Sequence, residues 1–410
     1  MEEERKQGGF WKGFFCAVIC YTVIAALILT AGLSIAGTGR QSESSHKQEE
    51  SAGELVTQKE DVQEKLGLLE EIIREYSLEE IDDQKLEDYL YYGLAAGIGD
   101  DYAAYYTKEE LENMMDSSTG SYGGIGAVFS QNLTTGLITV SQVYEGYPAY
   151  KSGILPQDIL YKVDGEEVAG QDISVVVTKI KGEVGKEVTL SVLRGEEELD
   201  FTMQCEMIEI QTVAHEMLSG NTGYIRITEF DSVTTSQFHN ALTELQGQGM
   251  ESLIIDLRNN GGGSVEAVTE IADELLPEGT IVSIDYHYKD KEERISDSAC
   301  IDIPMAVLIS GYSASASEIL AGALQDYGVA TIVGTQSFGK GIVQNVLSLN
   351  DGTAIKLTVA KYYTPNGHDI HKIGITPDVE IDLPEELKTQ VDISYEEDVQ
   401  LQKAVEVLQQ

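Results

Sequence analysis

After residue 208 the chain carries five apolar runs, TGYIRI, SLIIDLR, PMAVLIS, VATIVG and AIKLTVAKYYT, with helix-like stretches near 237–246, 265–275 and 317–326 between them. Runs that are apolar at nearly every position suit strands covered on both faces. Strands joined through helices are expected to lie largely parallel, with the helices packed on the sheet. Chemistry in such a sheet is expected at the strand ends.

Residues 121–208 read differently. Short alternating runs, GLITVSQVY, ILYKV, EVTLSVLR and ELDFTMQ, are broken by Gly and Asp turns, and DISVVVTKIKG reads as one short helix. The strings SYGGIGAVF and SGILPQDILYKVDGEEV in this small β-rich module resemble a PDZ domain, the family that adds a peptide's C-terminal strand to its own sheet edge. The resemblance implies that Gly124, Ile125, Gly126 and Ala127 turn backbone N–H groups toward a carboxylate. An ordinary β-turn is the alternative reading of that Gly-x-Gly.

At the N-terminus no charged residue occurs from Gly13 to Gly39, a run longer than the roughly 20 apolar residues that cross a bilayer. It is read as a membrane span. Arg5, Lys6 and Lys12 before it, against Arg40 and Lys47 after it, favour the N-terminus inside and the rest outside. A cleaved signal peptide is the competing reading, with Ser34 and Ala36 as the small residues of its cleavage site. The expected order is a cytoplasmic tail at 1–12, the anchor at 13–39, a polar linker at 40–50 and a helical region at 51–120. The PDZ module at 121–208, a core at 209–385 and a helical tail at 386–410 follow. Within the helical region Leu55, Val62, Leu66, Leu69, Ile73 and Tyr76 make an amphipathic stripe, and a second helix is expected over 84–98. That stripe packs on the core or pairs two copies into a homodimer.

With 27 Lys plus Arg against 70 Asp plus Glu in 410 residues, the net charge of −43 argues against nucleic-acid binding. Cys16, Cys20, Cys205 and Cys300 show no CxxC spacing, so no zinc site or disulfide framework is expected. Neither a metal nor an organic cofactor is called for.

Three segments of the core carry candidate chemistry. PMAVLIS runs into GYSASASEILAGALQDYG, which sets a serine at a helix N-terminus where free N–H groups could meet an oxyanion; Ser315 with Glu318 also fits a structural capping box. In SFGKGIVQ, Lys340 sits between glycines beyond another strand, and a lysine acts as a base near neutral pH only when desolvated. Gln344 could orient its amine. SLIIDLRNNGGGSVEAV empties a strand into Gly261, Gly262 and Gly263, which lets backbone N–H groups approach a reacting carbonyl; a phosphate cradle lacks its GxxxxGK[ST] pattern.

Taken in order, DLRNNGGG, SASASEILAGALQDYG, SFGKGIVQ, YYTPNG and GITPDVE, downstream of the PDZ-like module, resemble the C-terminal processing (tail-specific) serine proteases over roughly residues 60–385. The resemblance implies an α+β multidomain chain: an N-terminal transmembrane helix, a helical segment, the PDZ module and an α/β protease core of the crotonase/ClpP kind. It implies Ser315 as nucleophile, Lys340 as general base and Gln344 as the residue that positions the lysine. It also implies an oxyanion hole from Ala316 and Gly261, with Gly262 the alternative. Ser313 and Ser317 are excluded by the motif alignment and not by local chemistry. Lys181 falls where relatives often carry an arginine that senses the substrate carboxylate, and lysine offers a point charge in place of a planar fork. The implied partners are protein or peptide substrates with apolar C-termini, and the implied place is a bacterial cell envelope.

Other readings were weighed against this one. The histidines, His46, His215, His239, His287, His368 and His371, leave a Ser-His-Asp site without a motif, and His368, Asp369 and His371 could be read as a metal cluster or as a solvated turn. A catalytically silent tail-binding scaffold and a crotonase-like acyl-transfer enzyme are the remaining competitors.

Overall fold

The computed structural model describes residues 55–132, 135–195, 197–388 and 393–409. The expected cytoplasmic tail, membrane span and linker lie outside them, as do Cys16 and Cys20. Among the described residues no helix is long and apolar enough to cross a membrane. The chain divides into two compact units, one built from residues 109–344 with 359–410 and the other taking in residues up to 108 with 345–358.

In the larger unit, six strands form one sheet in the order Val213–Leu218, Thr222–Ile227, Ser252–Asp256, Met305–Ile309, Ala330–Gly334 and Val379–Glu380. The first pair is antiparallel and every other neighbouring pair is parallel, as the apolar strand–helix alternation requires. Ser252–Asp256 and Met305–Ile309 are buried at every position. The crossover helices are Thr234–Gly247, Val265–Asp273 and Ala316–Tyr327, each packed on the next. Ile254, Ala306, Leu308 and Val333 are covered by Leu401, Ala404 and Val405 of the helix Val399–Leu408. The segment after 385 thus completes the core, and its helix occupies Val399–Leu408 of the residues 386–410 expected to be helical.

The PDZ-like region has a sheet and a core of its own. Ala127–Gln131, Ile138–Val143, Ile159–Val163, Glu187–Arg194 and Glu197–Gln204 form one sheet, and Ser121–Gly124 pairs with Glu206–Glu209 where the chain enters and leaves. Its own core gathers Ile125, Val140, Leu160, Val176, Leu190 and Cys205. The expected short helix forms as Ile173–Ile180, capped by Asp172.

In the smaller unit, helix Glu60–Tyr76 starts five residues after Leu55, which lies outside it. None of its residues is buried. The second helix spans Asp83–Ala96 with Asp82 as its cap. Strand Ala104–Tyr106 pairs with 354–356, which draws a segment of the expected core into this unit. Helix Lys108–Thr119 falls within the expected helical region without having been singled out there, and helix Pro148–Ser152 had no counterpart in the sequence reading. The first is rich in charge and shows only Leu111 and Met114 as buried apolar residues among those described.

Candidate active site

Three loops leave the carboxyl ends of three adjacent parallel strands: the glycine loop after Ser252–Asp256, the serine turn after Met305–Ile309, and the lysine loop after Ala330–Gly334. This is the edge at which open α/β sheets gather ligands. The serine turn is sharp. Ser315 caps helix Ala316–Tyr327 with φ +56° and ψ −115°, a backbone conformation that non-glycine residues rarely adopt and that neighbouring structure must hold.

What holds it is Glu318. Its side chain is completely buried, and burial pushes its pKa up while four donors pull the other way. One carboxylate oxygen, Oε2, accepts the Ser315 N–H at 2.9 Å and the Lys340 N–H at 2.8 Å. The other, Oε1, accepts the Gly339 N–H at 2.7 Å and the Ser337 hydroxyl at 2.5 Å. The bond to Ser315 is the carboxylate half of a capping box, as expected; the other three reach 19 to 22 residues along the chain, which a cap alone would not do. The serine turn and the lysine loop are therefore joined through one buried charge, and a further bond from the Phe338 N–H to the Ser313 carbonyl (3.0 Å) runs beside it.

Lys340 is 3% exposed, and its carbonyl accepts a hydrogen bond from the buried Tyr362 hydroxyl. Gln344 follows on strand Ile342–Ser348, with its Nε2 buried and without a partner among the described residues. Ser313 and Ser317 are both fully buried and committed: the Ser313 hydroxyl donates to the Leu257 carbonyl (2.8 Å) and the Ser317 hydroxyl to the Asn260 carbonyl (3.0 Å).

The glycine loop is set by Asn260, also fully buried. Its Nδ2 donates to the Ile227 carbonyl (2.9 Å), its Oδ1 accepts the Gly262 N–H (2.8 Å), and its carbonyl accepts the Ala314 N–H (3.0 Å). Gly262, with φ +105°, lies so close to the serine turn that a Cβ there would sit 2.7 Å from the Ser315 Cβ and 2.9 Å from the Ala316 nitrogen. Among the described residues the N–H groups of Gly261 and Ala316 have no hydrogen-bond partner, whereas that of Gly262 is occupied. The two glycines that the sequence left open therefore differ in that the Gly262 N–H is occupied by Asn260. Two fully buried polar residues that hold these loops, Glu318 and Asn260, were missed as functional candidates; the DLRNN string names no role for Asn260, and the cap pattern accounts for Glu318.

In the PDZ-like module, Ala149 N–H binds the Ile125 carbonyl (2.8 Å) and Tyr144 N–H the Gly126 carbonyl (2.9 Å), while the N–H groups of Ile125 and Gly126 have no partner among the described residues. Gly126 has φ +75°, and a Cβ there would run into Tyr147. Ala127 opens the next strand. Lys181 lies alongside: Gly182 N–H binds the Gly123 carbonyl (3.1 Å), and the Lys181 ammonium sits 4.6 Å from the centre of the Tyr122 ring. Burial and the nearby Tyr144 and Tyr147 push the Tyr122 hydroxyl up to about 12. The structure thus gathers Gly124, Ile125, Gly126, Ala127 and Lys181 in one place, apart from the Ser315–Lys340 loops in the sheet order.

His368, Asp369 and His371 do not converge as a ligand set: His368 faces Asp326 at 3.4 Å, and Asp369 accepts the His371 backbone N–H. No group of three or more His, Cys, Asp or Glu able to hold a metal occurs among the described residues.

Comparison with known proteins bears on the whole arrangement. The profile of peptidase family S41 matches residues 221–381, and that of a PDZ domain matches residues 139–194. A carboxy-terminal-processing protease of Bartonella bacilliformis is 36% identical over 319 residues, 75% of this chain and 72% of that protein. A probable CtpA-like serine protease of Staphylococcus aureus is 34% identical over 307 residues, 74% of this chain and 61% of that protein, so the chain spans about six tenths of the staphylococcal relative's length. Among solved structures, one titled as a photosystem II D1 C-terminal processing protease shares 30% identity, with 81% of this chain and 89% of that one covered at a TM-score of 0.48.

Proposed function

This chain belongs to peptidase family S41, whose members named above are carboxy-terminal-processing serine proteases, and on that premise we propose that it is a membrane-anchored endopeptidase that captures substrate tails in its PDZ domain and cuts with a Ser315–Lys340 dyad. The observation that carries the dyad is the shared Glu318 oxygen, which holds the backbone nitrogens of both residues at 2.9 and 2.8 Å. A nucleophile and its base need fixed mutual geometry, and one buried carboxylate fixing both loops supports that.

In the proposed reaction the neutral Lys340 amine takes the proton of the Ser315 hydroxyl as Oγ bonds to the substrate carbonyl carbon. The carbonyl π pair moves onto oxygen, where the free N–H groups of Gly261 and Ala316 would meet it. Lys340 then gives its proton to the leaving amine as the C–N bond breaks, which leaves an ester on Ser315. Water, deprotonated by Lys340, attacks that ester, and the proton returns to Oγ as the acyl group departs. In this scheme Gln344, whose buried Nε2 has no partner among the described residues, is proposed to orient the lysine.

Substrates are proteins or peptides with apolar C-termini, whose carboxylate meets the N–H groups of Ile125 and Gly126 with Lys181 beside them. The run 13–39 anchors the chain, with the catalytic unit outside the cytoplasm, in a bacterial envelope. Leu66, Leu69, Ile73 and Tyr76, all exposed on helix Glu60–Tyr76, are the surface proposed for a homodimer.

The test is cleavage of an unstructured protein with an apolar tail by the wild type and by Ser315→Ala, with products identified by mass spectrometry. Cutting by the wild type alone is expected. A Ser315→Ala protein that still cuts removes the dyad, and tail binding by both without cutting or labelling of Ser315 by a fluorophosphonate favours the scaffold reading.

A further inference from the structure

Behind the glycine loop lie two carboxyl groups that the proposed chemistry does not use, Asp231 buried and Glu229 half-buried. Phe230, fully buried, forms a one-residue β-bridge with Gly263: its N–H donates to the Gly262 carbonyl (3.0 Å), and its carbonyl accepts the Ser264 N–H (2.6 Å). In such an extended register Glu229 and Asp231 share the side opposite Phe230. Asp231 is 2% exposed, and its Oδ2 is buried with no donor among the described residues. An unmet buried carboxylate oxygen is costly, so this arrangement favours the protonated form of Asp231.

The other face of Asp231 meets the point where the PDZ module joins the core. A Cβ on Gly120 would lie 2.8 Å from the Asp231 Cβ and 3.0 Å from its Oδ2, and Gly120 has φ +64°. The Gly120 carbonyl accepts the Ile210 N–H (2.8 Å), so the strands entering and leaving the module cross on top of Asp231. Gln237, on the helix that follows Asp231, donates to the Ile210 carbonyl (2.8 Å) and accepts from the Thr212 N–H (2.9 Å). The described groups that meet Asp231 from these elements, Gly120 and Thr234, carry no charge. The charge of Asp231 acts on Glu229, whereas burial alone acts on Asp231, and among the described residues no cation pairs with either.

We propose that Glu229 and Asp231 are a proton-dependent positioning pair that locks the PDZ junction at Gly120 to the glycine loop at 261–263, and that loss of the proton loosens both ends together. The role given to the glycine loop rests on the function proposed above. Burial pushes both carboxyls up to about 7, and for Glu229 the charge of Asp231 adds to the effect. The locked form therefore holds its proton more tightly than any form in which the carboxyls reach water. Its advantage is complete below the ordinary carboxylate range, declines as pH rises through that range to about 7, and stays at its lowest above.

Amide exchange in the full-length chain tests this at pH 5 and pH 8, after correction for intrinsic chemistry. In the wild type, exchange at 118–122 and at 260–264 is expected to accelerate together, by about tenfold for a pair coupled this way. Asp231→Asn, uncharged and of the same shape, abolishes the acceleration, and Glu229→Gln reduces it. Fluorophosphonate labelling gives a second readout: Asp231→Asn and wild type label alike at pH 5, and the variant labels faster at pH 8. Exchange that ignores pH in the wild type, that moves at one segment only, or that keeps its pH dependence in Asp231→Asn overturns the pair. Should Asp231→Asn fail to fold, the wild-type series and Glu229→Gln decide by the same criteria. If exchange behaves as expected while no protein takes the label, the catalytic reading falls and the pair stands.

Discussion

The molecule contains two glycine loops that offer free backbone N–H groups, and they are held by different means. In the PDZ module, Ile125 and Gly126 turn their carbonyls onto Ala149 and Tyr144, and the Ile125 side chain sinks into the module's core. Backbone bonds and one apolar anchor suffice. In the protease core, Gly261 and Ala316 are flanked by Asn260 and Glu318, polar side chains with no exposed surface that bond into the loops and, through Asn260, to the end of strand Thr222–Ile227. A carboxylate arrives fully formed and can be met by a loop that adjusts. An oxyanion exists only near the transition state, and donors gain from it only if they are already in place, which favours anchors that cannot relax.

The difference is tested first where it should be largest. Ser315→Ala and Lys340→Ala are each expected to lower kcat/KM on the order of 10⁴-fold or more while tail binding stays intact. Measured side by side, equal losses fit a pair acting as one unit, and full activity in Lys340→Ala ends the dyad assignment. Glu318→Gln should come next, at about 10²-fold in kcat with little change in KM. An amide supplies only one acceptor oxygen, so either the Gly339 N–H and Ser337 hydroxyl or the Ser315 and Lys340 N–H groups must face a donor. An effect on KM alone would place Glu318 in substrate binding and not in alignment of the two loops.

The same contrast explains what could be read from the residues. The alternation of strand and helix led to the parallel sheet because it is written in local pattern, whereas the PDZ module and the choice of Ser315 and Lys340 came from the resemblance that the order of the motifs carries. Glu318 was visible only as a capping residue, since its bonds to Ser337, Gly339 and Lys340 depend on the neighbouring strand bringing that loop across. Asn260 and the Glu229–Asp231 pair were silent for the same reason: a buried polar side chain looks like any other until its surroundings are known. The stripe on helix Glu60–Tyr76 was legible as a pattern, and the pattern did not tell what it faces.

At the PDZ loop the expected effects are smaller and fall on recognition. Gly126→Leu forces a side chain into a left-handed backbone and onto Tyr147, costing about 1–2 kcal/mol locally. KM for a tailed protein should rise roughly tenfold, while the rate on a short peptide that bypasses the module holds. An equal loss on both substrates would mean that the loop supports the fold and not the tail.

Lys181→Gln should give the smallest change and the sharpest distinction. The Lys181 ammonium lies against the Tyr122 ring, a contact worth about 0.5–1 kcal/mol when exposed, and no carboxylate is paired with it among the described residues. A bound tail would add a charge to this cation, and a single exposed pairing of that kind is worth at most about 1 kcal/mol, or roughly fivefold in affinity. The loss should therefore be about two- to fivefold for a tail ending in a free carboxylate and absent for the same tail ending in an amide. Lys181→Arg should recover the carboxylate preference, because the guanidinium keeps the charge and can stack on the same ring. If Lys181→Gln weakens both tails alike, the residue acts through Tyr122 and the strand Ser121–Gly124, and the carboxylate is read by the backbone of Ile125 and Gly126 alone.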